Sequence, residues 1–282
     1  MEASLRAEDL APGDREAAAR DWEDLRVRRV ASVADPDFAV AYERLFSEFG
    51  PRGEMETRAV IAERLAWDPA RPVGRVALAY ELLVLRRAGE LAALRDHTAV
   101  VRLAAHGRPA EGPLVVHLSH AFVAPAHRGT GLAAWLRALP LQTARRCAAA
   151  AGCAPSTRVV LVAEMEAPDP AEPGRMPRLR SYERAGFQKI DPAAAPYAQP
   201  DFRAPEVLAG ATPRPVPLEL VLRRVGREHE SAMPAAEVAA VVEAIYAVYA
   251  VHVPAPALDP LRTAAKDWTA RHASFRLLPP TA

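Results

Sequence analysis

The spacing of apolar and polar residues predicts a chain that mixes strands and helices. Alternating or continuous apolar runs, typical of strands, occupy residues 24–33, 75–88, 90–103, 113–123, 157–167, 187–190 and 217–225. Apolar residues at helical spacing predict helices over residues 35–50, 54–67, 132–151 and 178–186. Pro140 must kink or divide the third of these helices. This order of elements predicts an α/β (α+β) fold with a mixed sheet.

Three parts of the chain differ in character. Residues 1–23 are charged and rich in alanine, and they predict a helical arm or a loosely held tail. Residues 24–226 hold the predicted sheet, whose last two strands are separated by a long proline-rich loop. Residues 227–282 return to helical spacing and predict a C-terminal helical extension. That extension would cover its own domain, a sheet edge or a second copy in a homodimer.

Composition removes several classes of protein. The chain is 50% hydrophobic and 25% charged with a net charge of +1, so it lacks the basic excess expected of a nucleic-acid-binding protein. Cys147 and Cys153 fit no common zinc or redox spacing, and we expect no metal site. No apolar run approaches the roughly 20 residues of a membrane span. The first residues also lack the apolar core of a secretory signal, so we expect a cytoplasmic protein without nucleic-acid or membrane partners.

One stretch, "FVAPAHRGTGLAAWL" over residues 122–136, combines a strand end with a helix start. Gly129 and Gly131 stand just before the helical pattern. Such a glycine pair has a structural explanation, because glycine permits unusual backbone angles. It also suits a phosphate, because the first amides of a helix have no partner within the helix. The stretch alone leaves both readings open.

Together with a second motif, this stretch resembles the GNAT superfamily of acyl-CoA-dependent N-acyltransferases. The phosphate loop of that family reads Arg/Gln-x-x-Gly-x-Gly/Ala, and "RGTGLA" at residues 128–133 matches every specified position. The family's Val-x-Pro lead-in stands at residues 123–125, and its Tyr-Glu-x-x-Gly-Phe motif stands at residues 182–187. The resemblance covers roughly residues 24–226. It implies a mixed central β-sheet flanked by helices, with acetyl-CoA as the acyl donor.

The resemblance also implies how coenzyme A would bind. The amides of residues 129–133, at the positive end of a helix, would hold the pyrophosphate. The backbone around Phe122 and Val123 would pair with the pantetheine arm like an added strand. The implied cofactor-binding residues are Phe122, Val123, Arg128, Gly129, Thr130, Gly131, Leu132 and Ala133. Arg128 would equally be a solvated side chain.

Two catalytic roles follow from the resemblance. Tyr182 would donate a proton to the departing thiolate, because a tyrosine hydroxyl with a pKa of about 10 keeps its proton at neutral pH; otherwise it packs against the acyl-CoA. An attacking amine must also lose a proton to a base. Many relatives carry a glutamate six residues before the lead-in valine, and here that position is His117. His120 would lie on the opposite face of a regular strand unless a bulge intervenes. Either histidine would alternatively be a hydrogen-bonded core residue.

Acidic and aromatic residues near the predicted strand ends are candidates for the acceptor side. Glu164 and Glu166 share one face of the strand over residues 157–167, where they would relay a proton or bind a cationic amine. They would equally be ion-paired with arginines. Asp96, at the end of another strand, and Tyr197, in the proline-rich loop, are further candidates for binding the acceptor.

We therefore predict an acetyl-CoA-dependent N-acetyltransferase that acts by direct attack in a ternary complex. Its catalytic residues would be Tyr182, His117 and Glu164, and its acceptor a small-molecule or peptide amine. One alternative is a non-catalytic acyl-CoA-binding or sensing module, and another is an N-acyltransferase for longer acyl chains. The sequence does not choose the acceptor, because one fold serves many substrates.

Overall fold

The computed structural model describes residues 4–16, 22–203 and 214–282. Within these residues, ten strands join in one large sheet and a further two form a short hairpin. The large sheet contains β1 (Leu25–Arg29), β2 (Val76–Arg87), β3 (Glu90–Arg102), β4 (Leu114–His117), β5 (Ala121–Val123), β6 (Val159–Met165), β7 (Gln188–Ile190), β10 (Glu219–Arg224), β11 (Ala232–Pro234) and β12 (Ser274–Leu278). The hairpin pairs β8 (Ala198–Gln199) with β9 (Val216–Pro217).

The sheet is mixed, as predicted. Its strand order is β1-β2-β3-β4-β6-β10-β7-β12-β11, and β5 pairs with β3. Among the described strands, only β4 and β6 pair in parallel. The remaining pairs of this sheet are antiparallel. The parallel pair stands at the centre of the sheet, where the active-site candidates meet.

Helices cover both faces of the sheet. They are α1 (Pro36–Phe49), α2 (Arg58–Arg64), α3 (Leu132–Ala138), α4 (Pro140–Ala150), α5 (Arg175–Arg184), α6 (Ala235–Tyr249) and α7 (Ala255–Ala270). Pro140 divides α3 from α4, as predicted, and Asp35 caps α1 by accepting from the amide of Asp37. Alternate residues of the central strands point to opposite faces. Accordingly, Val100 packs in the cluster that includes α6, whereas Ala99 packs in the cluster that includes α4 and α5.

The C-terminal segment is more than the predicted helical extension. It supplies α6 and α7 as expected, but it also supplies β11 and β12. Strand β12 pairs with β7, so the segment extends the central sheet itself. Phe275 of β12 is 1% exposed and packs edge-on against Trp268 of α7. Residues 227–282 therefore share the sheet and the core of the preceding residues.

The N-terminal residues form turns, where a helical arm or a loose tail was expected. Ala7–Asp9 and Pro12–Asp14 are single 3-10 turns. Asp14 is fully buried and accepts two hydrogen bonds from Arg137 of α3, which anchors these turns to the body of the protein. The remainder of the predicted arm, residues 1–3 and 17–21, lies outside the described residues. In the part of the chain that the structure describes, no helix is both long and apolar enough to cross a membrane.

Candidate active site

The central sheet opens between β5 and β6. The parallel ladder of β4 with β6 runs as far as the pair of His117 with Val162, and the amide of Leu118 still donates to the Val162 carbonyl at 2.7 Å. Beyond that point β5 turns to pair with β3, and β6 continues against β10. A cavity of about 80 Å³ fills the opening. Residues from both faces of the sheet can therefore reach one space.

A break in the predicted strand over residues 113–123 brings two histidines to this cavity. The strand is interrupted between β4 and β5, and residues 118–120 lie outside both ladders. In a regular strand, residues three apart face opposite sides. Because of the break, His117 and His120 both line the cavity. Between the pairs Thr98–His117 and Arg95–Ala121, β3 has two residues and the opposite segment has three, so the alternation is interrupted at His120 as a bulge would interrupt it.

His117 and Glu164 form a buried pair across the opening. The Nε2 atom of His117 lies 2.7 Å from Oε2 of Glu164, and the two side chains are 3% and 7% exposed. The two alternative candidates for the base are thus in direct contact. Glu164 has no arginine partner among the described residues; the arginine pairing applies to Glu166 instead.

Two tyrosines hold the buried Glu164 carboxylate. The hydroxyl of Tyr197 donates to Oε1 at 2.5 Å, and the hydroxyl of Tyr249 donates to Oε2. Burial alone would raise the pKa of Glu164, but hydrogen bonds from His117, Tyr197 and Tyr249 outweigh it and lower that pKa. Glu164 is therefore held as a carboxylate. Tyr197, predicted to contact the acceptor, has its hydroxyl committed to Glu164.

Tyr249 was not among the predicted site residues. It ends α6, the helix of the C-terminal segment, and its ring meets that of His117 edge-on at 5.6 Å. One helical turn earlier, Tyr246 stacks on Tyr197 at 5.4 Å. The sequence signal that could have revealed Tyr249 is a pair of tyrosines three residues apart on a largely apolar helix, a spacing that places both on one face.

Tyr182 lies on the other side of the cavity from the Glu164 cluster, on the face of the sheet that α5 covers. Its ring meets Phe187 edge-on at 4.8 Å. Arg95 of β3 donates to the Tyr182 hydroxyl at 3.4 Å. Burial would raise the pKa of Tyr182, but Arg95, Arg137 and Arg178 outweigh it and hold the pKa below its usual range. Arg95 was also not among the predicted site residues, because nothing in the sequence distinguishes it from the other arginines of the chain.

His120 is occupied in a buried ion pair. Its Nδ1 lies 3.0 Å from Oδ1 of Asp96, and its Nε2 donates to the carbonyl of Glu54 at 2.9 Å. Burial opposes the charge, but Asp96 outweighs it and raises the pKa of His120 to about 9, while the pKa of Asp96 falls well below its usual range. Asp96 is fully buried and also accepts from the Tyr80 hydroxyl. We therefore place Asp96 behind His120 as its counterion, where the sequence had suggested a contact with the acceptor.

Glu166 stands at the mouth of the cavity and is paired with arginines. Arg178 donates to Oε2, and Arg52 lies 4.0 Å from Oε1. Burial opposes ionisation, but these arginines lower the pKa of Glu166. Of the two readings offered for this residue, the structure shows the ion pair. Glu54 lies beside it, with Arg52 at 3.0 Å.

The glycine loop leads from β5 into α3. Gly129 and Gly131 both adopt the left-handed region, with φ of +70° and +90°, and Gly131 is the residue before α3. Thr130 closes the loop by donating to the carbonyl of His127 at 2.7 Å. A Cβ built at Gly129 would meet no atom within 4 Å. The amides of Leu132 and Ala133 follow as the first of the helix, which leaves them without intrahelical acceptors.

Hydrogen bonding along β5 refines the predicted role of Phe122 and Val123. Phe122 stands opposite Leu94, and the bonds from Ala124 to Ala92 and from Asp96 to His120 place it at a bonded position of that ladder. Its backbone groups thus face β3, whereas those of Val123 face the opening. The side chain of Arg128 is exposed, in keeping with a solvated side chain, and its Nε donates to the Val123 carbonyl at 3.2 Å.

Comparisons with known proteins concern the fold alone. No family model and no curated protein matches the chain. Among solved structures, a tandem GNAT protein from the clavulanic acid biosynthesis pathway is 19% identical with a TM-score of 0.39, over 67% of this chain and 52% of that one. The chain thus spans about half the length of that protein. An acetyltransferase from Streptococcus agalactiae is 12% identical with a TM-score of 0.37, over 72% and 99% of the two chains.

A GNAT family acetyltransferase from Elizabethkingia anophelis, solved with acetyl-CoA bound, gives the same coverage at 12% identity and a TM-score of 0.36. The matched structures are GNAT acetyltransferases, the superfamily that the sequence motifs resemble. TM-scores this low do not align individual residues of the site. Among the described residues, no group of three His, Cys, Asp or Glu side chains could hold a metal ion.

Proposed function

We propose that this chain is an N-acetyltransferase that moves an acetyl group from acetyl-CoA to a primary amine by direct attack in a ternary complex. One observation carries the proposal: the sheet parts between β5 and β6, with the glycine loop beyond one strand and the His117–Glu164 pair inside the opening. Tyr182 lines the same cavity. An acyl donor anchored at the loop would have both a base and an acid within the opening.

The loop and β5 suit the phosphates and amides of coenzyme A. The left-handed angles of Gly129 and Gly131 leave the amides of residues 129–133 open toward an anion at the start of α3. The backbone groups of Val123 face the opening, where an extended arm can add as a strand and share the carbonyl that now accepts from Arg128. When bound there, acetyl-CoA would supply an acetyl thioester.

The proposed transfer breaks one bond to sulfur and makes one to nitrogen. The amine nitrogen bonds the acetyl carbon as the C–S bond breaks, and the electron pair of that bond leaves with the sulfur. The proton lost by the amine passes to Nδ1 of His117, because Nε2 donates to the Glu164 carboxylate at 2.7 Å. The thiolate gains a proton from Tyr182. The products are an N-acetyl amine and free coenzyme A.

Carboxylates and aromatic rings stand where we propose that the acceptor enters the cavity. Glu54 and Glu166 stand at its mouth, and the rings of Phe49 and Phe202 line it. Burial raises the pKa of Glu54, with Arg52 acting in the opposite direction. The carboxylate of Glu166 is already paired with Arg178, so the aromatic faces are what would attract an ammonium group before it loses its proton. The acceptor we propose is therefore an amine presented by a small molecule or a peptide.

A matched pair of glycine variants tests donor binding. Gly129 and Gly152 have φ of +70° and +72°, and neither has a neighbour within 4 Å of a built Cβ. Asp is among the residues that tolerate this region best, so Gly129→Asp and Gly152→Asp should lose similar stability. Only the first places a carboxylate beside the proposed phosphate site. In calorimetric titrations with acetyl-CoA, we expect Gly152→Asp to bind like wild type and Gly129→Asp to bind at least about tenfold more weakly.

Equal affinity of the two variants would contradict the assignment of the phosphate loop. Gly129→Asn supplies a neutral control of nearly the same shape, and it should bind more tightly than Gly129→Asp. A thiol-release assay with a panel of primary amines then tests turnover. Donor binding without release of coenzyme A to any amine would favour the non-catalytic binding module.

A further inference from the structure

Arg95 is a buried cation without a carboxylate partner. It lies in β3 opposite Ala121, is 1% exposed and lines the cavity. Two other arginines that are equally buried are paired, Arg64 with Glu56 and Arg224 with Glu230 and Glu237. For Arg95 no ion pair occurs within the described residues, and its Nε and Nη2 have no hydrogen-bond partner there. A buried charge without a partner lowers the stability of the folded protein, so we expect Arg95 to have a functional role at this position.

The contact that Arg95 does make orients the hydroxyl of Tyr182. Its Nη1 donates to that oxygen at 3.4 Å. A guanidinium has donors only, so the tyrosine oxygen must accept and its own proton must point elsewhere. No described residue accepts that proton. Phe187, edge-on at 4.8 Å, and Arg137, over the ring at 5.4 Å, hold the ring in place.

We propose that Arg95 is the positioning residue that prepares Tyr182 to protonate the leaving thiolate. It holds the hydroxyl with its proton free for the cavity, and its charge stabilises the oxygen once the proton has left. In this step the O–H bond of Tyr182 breaks and an S–H bond forms, while the O–H electron pair stays on the tyrosine oxygen. Water returns a proton to Tyr182 after coenzyme A leaves. This inference rests on the proposed acetyl transfer.

The charges around Tyr182 single out Arg95 among three arginines. Arg137, from α3, is paired with the buried Asp14, and Arg178, from α5 itself, is paired with Glu166. Arg95, from β3, has no such partner among the described residues. No carboxylate offsets its charge, so of the three arginines it should affect the Tyr182 hydroxyl most. Burial raises the pKa of each of the other five tyrosines, whereas the arginines lower that of Tyr182. Tyr182 is therefore the first tyrosine expected to ionise as the pH rises.

An alkaline titration of tyrosinate absorbance tests the pairing without any substrate. Wild type should show a first step that Tyr182→Phe removes. Arg95→Met should move that step upward by at least about one pH unit, and Arg95→Lys by less. Arg102→Met is the matched control, since it makes the same change in the same strand about 23 Å away by strand rise. It should leave the first step in place. Because Met replaces an unpaired charge, Arg95→Met should melt no lower than wild type.

Kinetics test the role in transfer. Arg95→Met should lower kcat at least about tenfold with little change in the KM for acetyl-CoA, and Arg95→Lys should recover part of the loss. A first step that stays in place in Arg95→Met would overturn the inference, and so would a change in KM alone. Wild type that fails to bind acetyl-CoA would instead overturn the proposed function. In that case the titration still shows whether Arg95 controls Tyr182, and the thiolate is excluded as the proton's acceptor.

Discussion

Tyr249, the last residue of α6, donates a hydrogen bond to the buried carboxylate of Glu164 on β6. The C-terminal segment thus completes the group that holds His117. Tyr197 donates to the other oxygen of the same carboxylate. Residues far apart in the chain therefore hold the proposed base in place. A substitution at the end of α6 should alter the position of Glu164 and His117.

Removing the Tyr249 hydroxyl should weaken this support. A hydrogen bond to a buried charged group contributes roughly 1.5–3 kcal/mol. We expect Tyr249→Phe to lower the free energy of unfolding by about this amount at pH 7, measured by urea denaturation. Tyr42→Phe is a suitable control, because Tyr42 donates only to the carbonyl of Glu56, at 3.4 Å. If both variants lose the same free energy of unfolding, the hydrogen bond from Tyr249 to the Glu164 carboxylate contributes no more than one to a neutral carbonyl.

The charge of Glu164 should make stability depend on pH in the acid range. Its pKa is lowered in the folded protein, so the unfolded chain binds the proton more readily. The stabilisation is complete above the unfolded pKa of about 4.3, and it is lost as the pH falls through the lower, folded pKa. The difference in stability between wild type and Glu164→Gln should thus be largest near pH 7 and should shrink below about pH 4. A difference that stays constant down to that pH would contradict the lowered pKa.

Loss of His117 should change how the rate depends on pH. Without a base, an amine must lose its proton to solvent, which occurs near pH ~10 for alkyl ammonium groups. We expect His117→Ala to lower kcat at pH 7 by roughly 10²–10⁴-fold and to regain part of it as the pH rises. His106→Ala, in an exposed turn, should keep the wild-type profile. An unaltered profile in His117→Ala would leave water or another group as the base.

Local patterns in the sequence predicted the central elements well. Continuous apolar runs with β-branched residues indicated β6 and β10, and Gly89 separated β2 from β3. The glycine loop and the Tyr182 motif are short and contiguous, so a single sequence reveals them. His117 was proposed because the resemblance places a base six residues before Val123, and Glu164 because it lies near the end of the apolar run that forms β6.

What the sequence did not reveal depends on contacts between distant residues. Tyr249 looks like an ordinary core residue until α6 packs over the end of β6. The pairing of Asp96 with His120 depends on the break after β4, where the amide of His120 donates to the Asp96 carboxylate. Strand β12 is a five-residue segment after a helix, and as a strand it pairs with β7 on one side and β11 on the other. Such tertiary contacts override the local conformational preference of the sequence.

The pair of His120 with Asp96 should make stability depend on pH on the alkaline side. The pKa of His120 is raised to about 9 in the folded protein, against about 6.5 when unfolded. The stabilisation is therefore complete below about pH 6.5 and is lost as the pH rises through about 9, a change on the order of 3 kcal/mol. Urea denaturation between pH 6 and pH 10 should show this fall in wild type. It should be absent in Asp96→Asn, where the imidazolium lacks its counterion, and a fall of the same size in that variant would exclude the pair as its source.

The C-terminal strand should contribute to the core of the whole protein. Phe275 and Arg276 are neighbours on β12, but Phe275 is 1% exposed against Trp268, whereas the Arg276 side chain is 70% exposed beside Asp191. Truncating a buried phenylalanine costs about 3–5 kcal/mol, and breaking an exposed ion pair costs about 0–1 kcal/mol. We therefore expect Phe275→Ala to unfold at much lower urea concentration than Arg276→Ala, in a single transition that far-ultraviolet and tryptophan signals report together. Two separate transitions would mean that residues 227–282 unfold as an independent extension. In a single cooperative unit, loss of β12 also releases α6, and with it the Tyr249 hydroxyl that holds Glu164.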